Sequence, residues 1–191
     1  MFSLDSKLYD VSEQVARLMG LTLLFIIFSL PIITMPSALT ALIATVRQSE
    51  QTLFATFMKH FKENLLRSLI IFVFSIFSYL FLVQLRYSIG ILPMAGVLFF
   101  FILSFVMMYN LNCYLLISVL NKSGITFFRQ VFFFTLGTFY KTFFFPLIGV
   151  AILLILPIVI GVSAFFIMFG ILVAIYIRMV KKELEVIKDY A

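Results

Sequence analysis

A single cysteine, a single histidine and few charges bound what this chain of 191 residues can do. Cys113 has no second cysteine to pair with, which excludes an intramolecular disulfide and any cysteine-based metal site. His60 alone cannot supply the constellations of zinc and haem centres. Charged residues make up only 12% of the chain, and none of the acidic ones falls within a span predicted from the sequence. The carboxylate that ion-coupled pumps use is therefore not expected. There is no Walker loop, no Ser/His/Asp or Cys/His set and no HExxH, so no catalytic, cofactor or metal residue can be nominated and an enzyme is not expected. A cleavable signal peptide is not expected either, because Asp5, Asp10 and Glu13 precede the first apolar run. That run must act as its own insertion signal.

What the chain has in abundance is apolar surface. Hydrophobic residues reach 64%, 26 of the residues are phenylalanine, and the mean hydropathy is +1.21. A core of this size cannot hide so many rings from water, whereas lipid tails accept them. Successive runs approach or exceed the roughly 20 residues that cross a bilayer. They are apolar on every face, without the alternation of a barrel. The fold class expected is all-α: a polytopic membrane protein with about five transmembrane helices and interfacial amphipathic helices.

The chain divides as a single membrane domain, 1–191. Residues 1–17 alternate apolar and polar and read as an interfacial helix. A first span over 18–46 would measure roughly 43 Å as one helix, longer than the bilayer core, so it is expected to kink. Residues 52–67 set Phe54, Phe57, Met58 and Phe61 on one side and Lys59, Lys62 and Glu63 on another, an interfacial helix leading into a second span over 68–85. Pro93 suits the first turn of a third span, 91–120, which stops at the turn signal over 121–124. An interfacial helix over 125–141 follows, then fourth and fifth spans over 142–158 and 161–177, joined by a tight turn over 157–161. A polar tail, 178–191, ends the chain. Residues 52–85 and 125–160 echo each other as a Phe/basic helix running into a span. That is either an internal repeat or what any re-entering cytoplasmic segment looks like.

Basic residues cluster around the spans. Lys7 and Arg17 precede the first, and Arg47, Lys59, Lys62 and Arg67 follow it. Arg86 stands alone, Lys122, Arg129 and Lys141 come next, and Arg178, Lys181, Lys182 and Lys188 close the chain. The positive-inside rule places the clusters in the cytoplasm, on the inner side of a plasma membrane. With five spans the C-terminus is then cytoplasmic and the N-terminus extracellular. If the first run returns at 31–36 as a re-entrant hairpin, the N-terminus is cytoplasmic too. The net charge of +6 is matched to anionic lipid headgroups, and no basic stripe calls for nucleic acid.

Two places stand out as candidate sites. Residues 30–42 put Pro31, Thr34, Pro36, Ser37, Ala38 and Ala41 inside an apolar run, where each proline removes a donor and crowds the preceding turn. Broken backbone at membrane depth persists only where protein or water satisfies it. Small residues at spacing three (Ala38, Ala41, Ala44) allow a second helix to come close. The run reads as a docking joint, a re-entrant hairpin or a ligand site. Asn110 and Asn112 point to different faces of the third span, for interhelical hydrogen bonding or for a ligand or gate. Ser75, Ser78, Tyr79 and Gln84 are expected to satisfy neighbouring backbone, Arg178 to snorkel, and His60 to lie at the surface rather than relay protons.

The run over 30–42 resembles the signature of the YesL-like family of bacterial integral membrane proteins, a domain of unknown function. The layout of the rest of the chain, including a Phe/Lys/Asn segment over 57–64, is similar to that family's, although a glycine is usual where Met35 stands. The resemblance implies an accessory role beside carbohydrate ABC-type importers and supplies no catalytic residues. Two functions follow: a non-catalytic accessory protein docking to an importer permease, sensor or other membrane protein, or a small solute-binding or translocating subunit using the broken first helix. A homo-oligomer joined along residues 38–44 is a third arrangement.

Overall fold

The computed structural model describes residues 2–48, 52–89, 93–120, 124–160 and 163–189. Among them the secondary structure is entirely helical: nine α-helices and one turn of 3-10 helix. Three helices are long and apolar enough to cross a membrane, carrying the stretches Val11–Ser29, Leu65–Tyr87 and Gly96–Ile117. A fourth span results if the bent pair Ile125–Thr142 and Phe145–Ile155 counts as one. The protein is thus a multi-pass membrane protein, with fewer clear spans than the five expected.

The first departure from expectation lies at the prolines. Helix α1 (Phe2–Ser29) is continuous from its polar start into the apolar run, so no separate helix is confined to 1–17. It stops before Pro31, whose extended backbone (φ −74°, ψ 117°) leads into the 3-10 turn Ile32–Thr34. Helix α2 (Met35–Gln48) then starts with Pro36 in its first turn, where a missing N–H costs nothing. As one helix, residues 17 and 45 would stand about 42 Å apart. Instead Arg17 Nη2 donates to the Thr45 carbonyl at 3.5 Å. Leu21 and Phe25 of α1 share a buried cluster with Ala38, Ala41 and Leu42 of α2. The kinked span expected over 18–46 is corrected to a helical hairpin. Its second arm, at roughly 21 Å, is too short to cross the bilayer core.

Helix α3 (Leu53–Glu63) ends at Asn64, whose Nδ2 and backbone N–H both donate to the His60 carbonyl, and α4 (Leu65–Ile89) begins at once. Two of the three phenylalanines of α3 face inward: Phe57 is fully buried, and Phe57 and Phe61 pack on Phe28 at 5.6 and 5.2 Å, whereas Phe54, expected on the same side, is exposed. Its lysines, Lys59 and Lys62, stay exposed.

The second departure concerns α6. Helix α5 (Pro93–Ile117) and helix α6 (Ile125–Thr142) run antiparallel in contact, because Asn112 bonds to Thr135 while Ser104 donates to the Phe143 carbonyl at 2.5 Å. The interfacial helix expected over 125–141 is corrected to one arm of a bent pair. Its other arm, α7 (Phe145–Ile160), turns away by 66°. Helix α7 carries Pro157 within it, and the turn expected over 157–161 ends outside the described residues. The turn expected over 121–124 also falls outside them except for Gly124, whose φ of 75° needs glycine.

Helix α8 (Ser163–Met179) brings the chain back, with a described apolar stretch of Met168–Met179, and α9 (Lys181–Asp189) caps the fold. Against α1 the approach of α8 is close. A Cβ on Gly170 would sit 2.5 Å from Thr22 Oγ1 and 3.0 Å from the Leu18 carbonyl oxygen, and Phe25 stacks on Phe169 at 4.7 Å.

Candidate functional site

The hairpin joint separates its residues into an exposed tip and a buried stem. Pro31 is exposed, as are Leu30, Ile32, Ile33 and Met35. The Thr34 hydroxyl lies 2.7 Å from the Phe28 carbonyl and 2.8 Å from that of Pro31, closing the turn with local acceptors. Pro36, Ser37, Ala38 and Ala41 are buried. Ser37 donates to the Phe61 carbonyl at 2.7 Å, tying the start of α2 to the end of α3. The small-residue seam is consumed by the chain's own packing: Ala38, Ala41 and Ala44 have no exposed surface. The expectation that this seam docks another protein, or a second copy, is corrected, since its neighbours are the chain's own helices.

Asn110 and Asn112 diverge, and each ties α5 to its neighbours. The Ser75 hydroxyl of α4 lies 2.8 Å from the Ile71 carbonyl and 2.6 Å from Asn110 Oδ1, while Asn110 Nδ2 donates to the Val106 carbonyl at 2.9 Å. On the other face Asn112 Nδ2 donates to Thr135 Oγ1 at 3.0 Å, Thr135 in turn donates to the Val131 carbonyl, and the Tyr176 hydroxyl of α8 donates to Asn112 Oδ1. One amide thus holds α5, α6 and α8 together. Ser78 donates to the Phe74 carbonyl of its own helix.

A cavity of about 270 Å³ brings the joint and one of the asparagines together. Met35, Leu39 and Ile43 of the hairpin line it beside Asn110 and Tyr114 of α5, with Phe145, Phe169 and Tyr176 completing the wall. Thr34 and Asn112 do not reach it. The wall is almost wholly apolar, and both polar atoms of Asn110 are already engaged. Such a space suits lipid or an apolar side chain and offers a sugar few partners.

At the other end of the hairpin lies a polar basin. His60, expected at the surface, is buried: its Nε2 meets Gln48 Oε1 at 2.9 Å and its Nδ1 lies 3.6 Å from Glu63. Arg47 donates to the Ser118 carbonyl at the end of α5 at 3.1 Å, and burial lowers its guanidinium from the usual pKa. Arg17, Arg47, Arg178 and Lys181 line one space of about 610 Å³. The base of the hairpin and the α8–α9 junction therefore lie at the same end of the molecule. The expectation that Arg17 precedes a crossing and Arg47 follows it is corrected with the hairpin. Nearby, Lys141 pairs with Glu183, and this hydrogen bond holds the carboxyl of Glu183 below the usual carboxylate range. The sequence marked these cations only as topology signals, because nothing in a linear pattern shows residues 17, 47, 178 and 181 converging. Among the described residues, no group of three or more His, Cys, Asp or Glu could hold a metal.

Residues 18–85 match the profile of a family described as a protein of unknown function, DUF624. The match takes in the hairpin, α3 and most of α4, and stops short of α5. No curated protein and no solved structure matches the chain.

Proposed function

We propose that this protein is a non-catalytic membrane accessory protein that docks to a transporter or sensor in carbohydrate ABC-type uptake, the role that its resemblance to the YesL-like family implies. The observation that supports docking over translocation is how the interior polar groups are spent. Ser75, Asn110, Asn112, Thr135 and Tyr176 bond to one another and to backbone, so that among the described residues these groups form no row of free donors and acceptors for a polar solute. With the alanine seam internal, the docking surface is the exposed apolar tip at Leu30, Ile32 and Ile33. By the positive-inside rule the basic end faces the cytoplasm, with both termini on that side.

The test is purification from membranes in mild detergent, with an importer permease co-expressed. Recovery of the permease with this protein, and its loss when Ile32 and Ile33 are both changed to alanine, is the result the reading requires. Recovery of the protein alone, combined with saturable sugar binding, would favour the solute-binding reading and overturn this one. Reporter fusions at each terminus check the orientation, and an extracellular N-terminal signal refutes it.

A further inference from the structure

The basin at the basic end has more than topology to explain. Four cations from four segments converge there: Arg17 of α1, Arg47 of α2, Arg178 at the end of α8 and Lys181 at the start of α9. Among the described residues one carboxylate lines the space, that of Glu185, with an oxygen 3.9 Å from Lys181 Nζ. The side-chain amides of Gln14 and Gln48 add neutral donors. The floor is apolar, made by Leu18, Leu21, Ile177 and Leu184.

Like charges brought together repel, and a half-buried guanidinium whose acceptor is a neutral carbonyl loses hydration without gaining a counter-charge. The Arg47 hydrogen bond to Ser118 fixes the group in place but does not neutralise it. An anion entering this apolar-floored space would meet cations delivered by both the hairpin and the helix junction, and would give the Arg47 guanidinium the counter-charge that a carbonyl does not supply. Arginine forks match the oxygens of a phosphate or carboxylate, and the fixed spacing of groups from separate helices favours a polyoxygen head over a single small anion. A space of about 610 Å³ is of the size that takes a small organic ligand rather than an ion alone.

We propose that this basin is a binding site for a phosphate ester, with Arg17, Arg47, Arg178 and Lys181 around the phosphoryl group and the apolar floor beneath the organic part. The ester belongs either to a soluble metabolite or to the headgroup of an anionic phospholipid. The two sources share the same chemistry at the four cations, and the apolar floor accepts the carbon skeleton of either.

The experiment uses the full chain in nanodiscs of phosphatidylcholine, probed with glycerol phosphate by calorimetry. The lipid arm uses native mass spectrometry to follow retention of phosphatidylglycerol supplied with phosphatidylcholine. The Arg47→Gln/Arg178→Gln double variant is compared with Lys59→Gln/Lys62→Gln, which removes equal charge from the exposed face of α3. Weakening by about tenfold or more in the first pair and less than about twofold in the second is the result expected. Glycerol phosphate binding assigns the site to a soluble ester, and retention of phosphatidylglycerol alone assigns it to lipid. Absence of both overturns the proposal, as does equal weakening in the two pairs, which would mean diffuse charge attraction. Arg178→Gln alone, at an exposed position, repeats the test without touching the Arg47–Ser118 tie, and helical content by circular dichroism confirms that each variant is folded.

Discussion

Two apolar segments of this molecule are interrupted, and they break differently. Between α1 and α2 five residues intervene, with Pro31 before the 3-10 turn and Pro36 after it, and the chain reverses. Between α6 and α7 only Phe143 and Phe144 intervene, with Pro146 in the first turn beyond them, and the chain bends by 66°. In both, the second helix begins one residue before a proline, where the ring fits without loss of an internal hydrogen bond. The difference is the other proline. One proline displaces a helix but lets it go on. Two, five residues apart, leave a stretch that neither helix can absorb, long enough to turn the axis round.

What holds each break also differs. The hairpin is held by close packing of small residues, with Ala38, Ala41 and Ala44 completely buried. The bent pair is pinned by a side chain, Ser104 donating to the carbonyl of Phe143 at 2.5 Å inside the break. The strongest way to break the comparison is therefore to enlarge the seam. Ala38→Leu with Ala41→Leu should cost about 1–3 kcal/mol per site and open the hairpin, seen as a collapse of thermal stability in detergent. A variant as stable as the parent would show that the arms are not closely packed. Next in size, Ser104→Ala should cost about 1 kcal/mol and change the α6–α7 angle, while Ser37→Ala costs a similar amount and leaves that angle alone. Spin labels on α6 and α7 read the difference.

A smaller effect is expected where α9 meets the bent pair. The Lys141–Glu183 hydrogen bond sets the Glu183 pKa below its value in the unfolded chain. Its contribution to stability is therefore complete above the ordinary glutamate range and is lost as the pH falls through the lowered value. Unfolding midpoints should decline with acidification, and Glu183→Gln should flatten that part of the profile. An unchanged profile in the variant would remove this pair from the account. Smallest of all is Gly149→Ala in α7, where a Cβ meets nothing within 4 Å. It should be neutral or stabilising by up to about 1 kcal/mol, in contrast to any enlargement of the hairpin seam.

The sequence made the helical class plain, because lipid demands internal backbone pairing and runs of this apolarity leave few alternatives. It also located the joint, since proline chemistry is local. Where the chain went next was not legible. A kinked span and a hairpin have the same hydropathy, and Arg17 gives no sign in one dimension that it will meet Thr45. The divergence of Asn110 and Asn112 follows from helical periodicity, but Ser75, Thr135 and Tyr176 as their partners do not. Gly170 passed unnoticed, being one small residue in an apolar run until the backbone of Leu18 is placed beside it.

That last contact has a consequence for how the chain is made. Helix α1 is made well before α8, yet the two pack together, with Thr22 and Gly170 touching and Phe25 on Phe169. The hairpin must wait in the bilayer, one flank lacking its partner, until α8 has been synthesised. Contacts between segments so far apart in the chain form late and leave surfaces open to wrong partners in the meantime. A nascent chain cut short before α8 would hold a formed hairpin with an uncovered side, a substrate for membrane quality control.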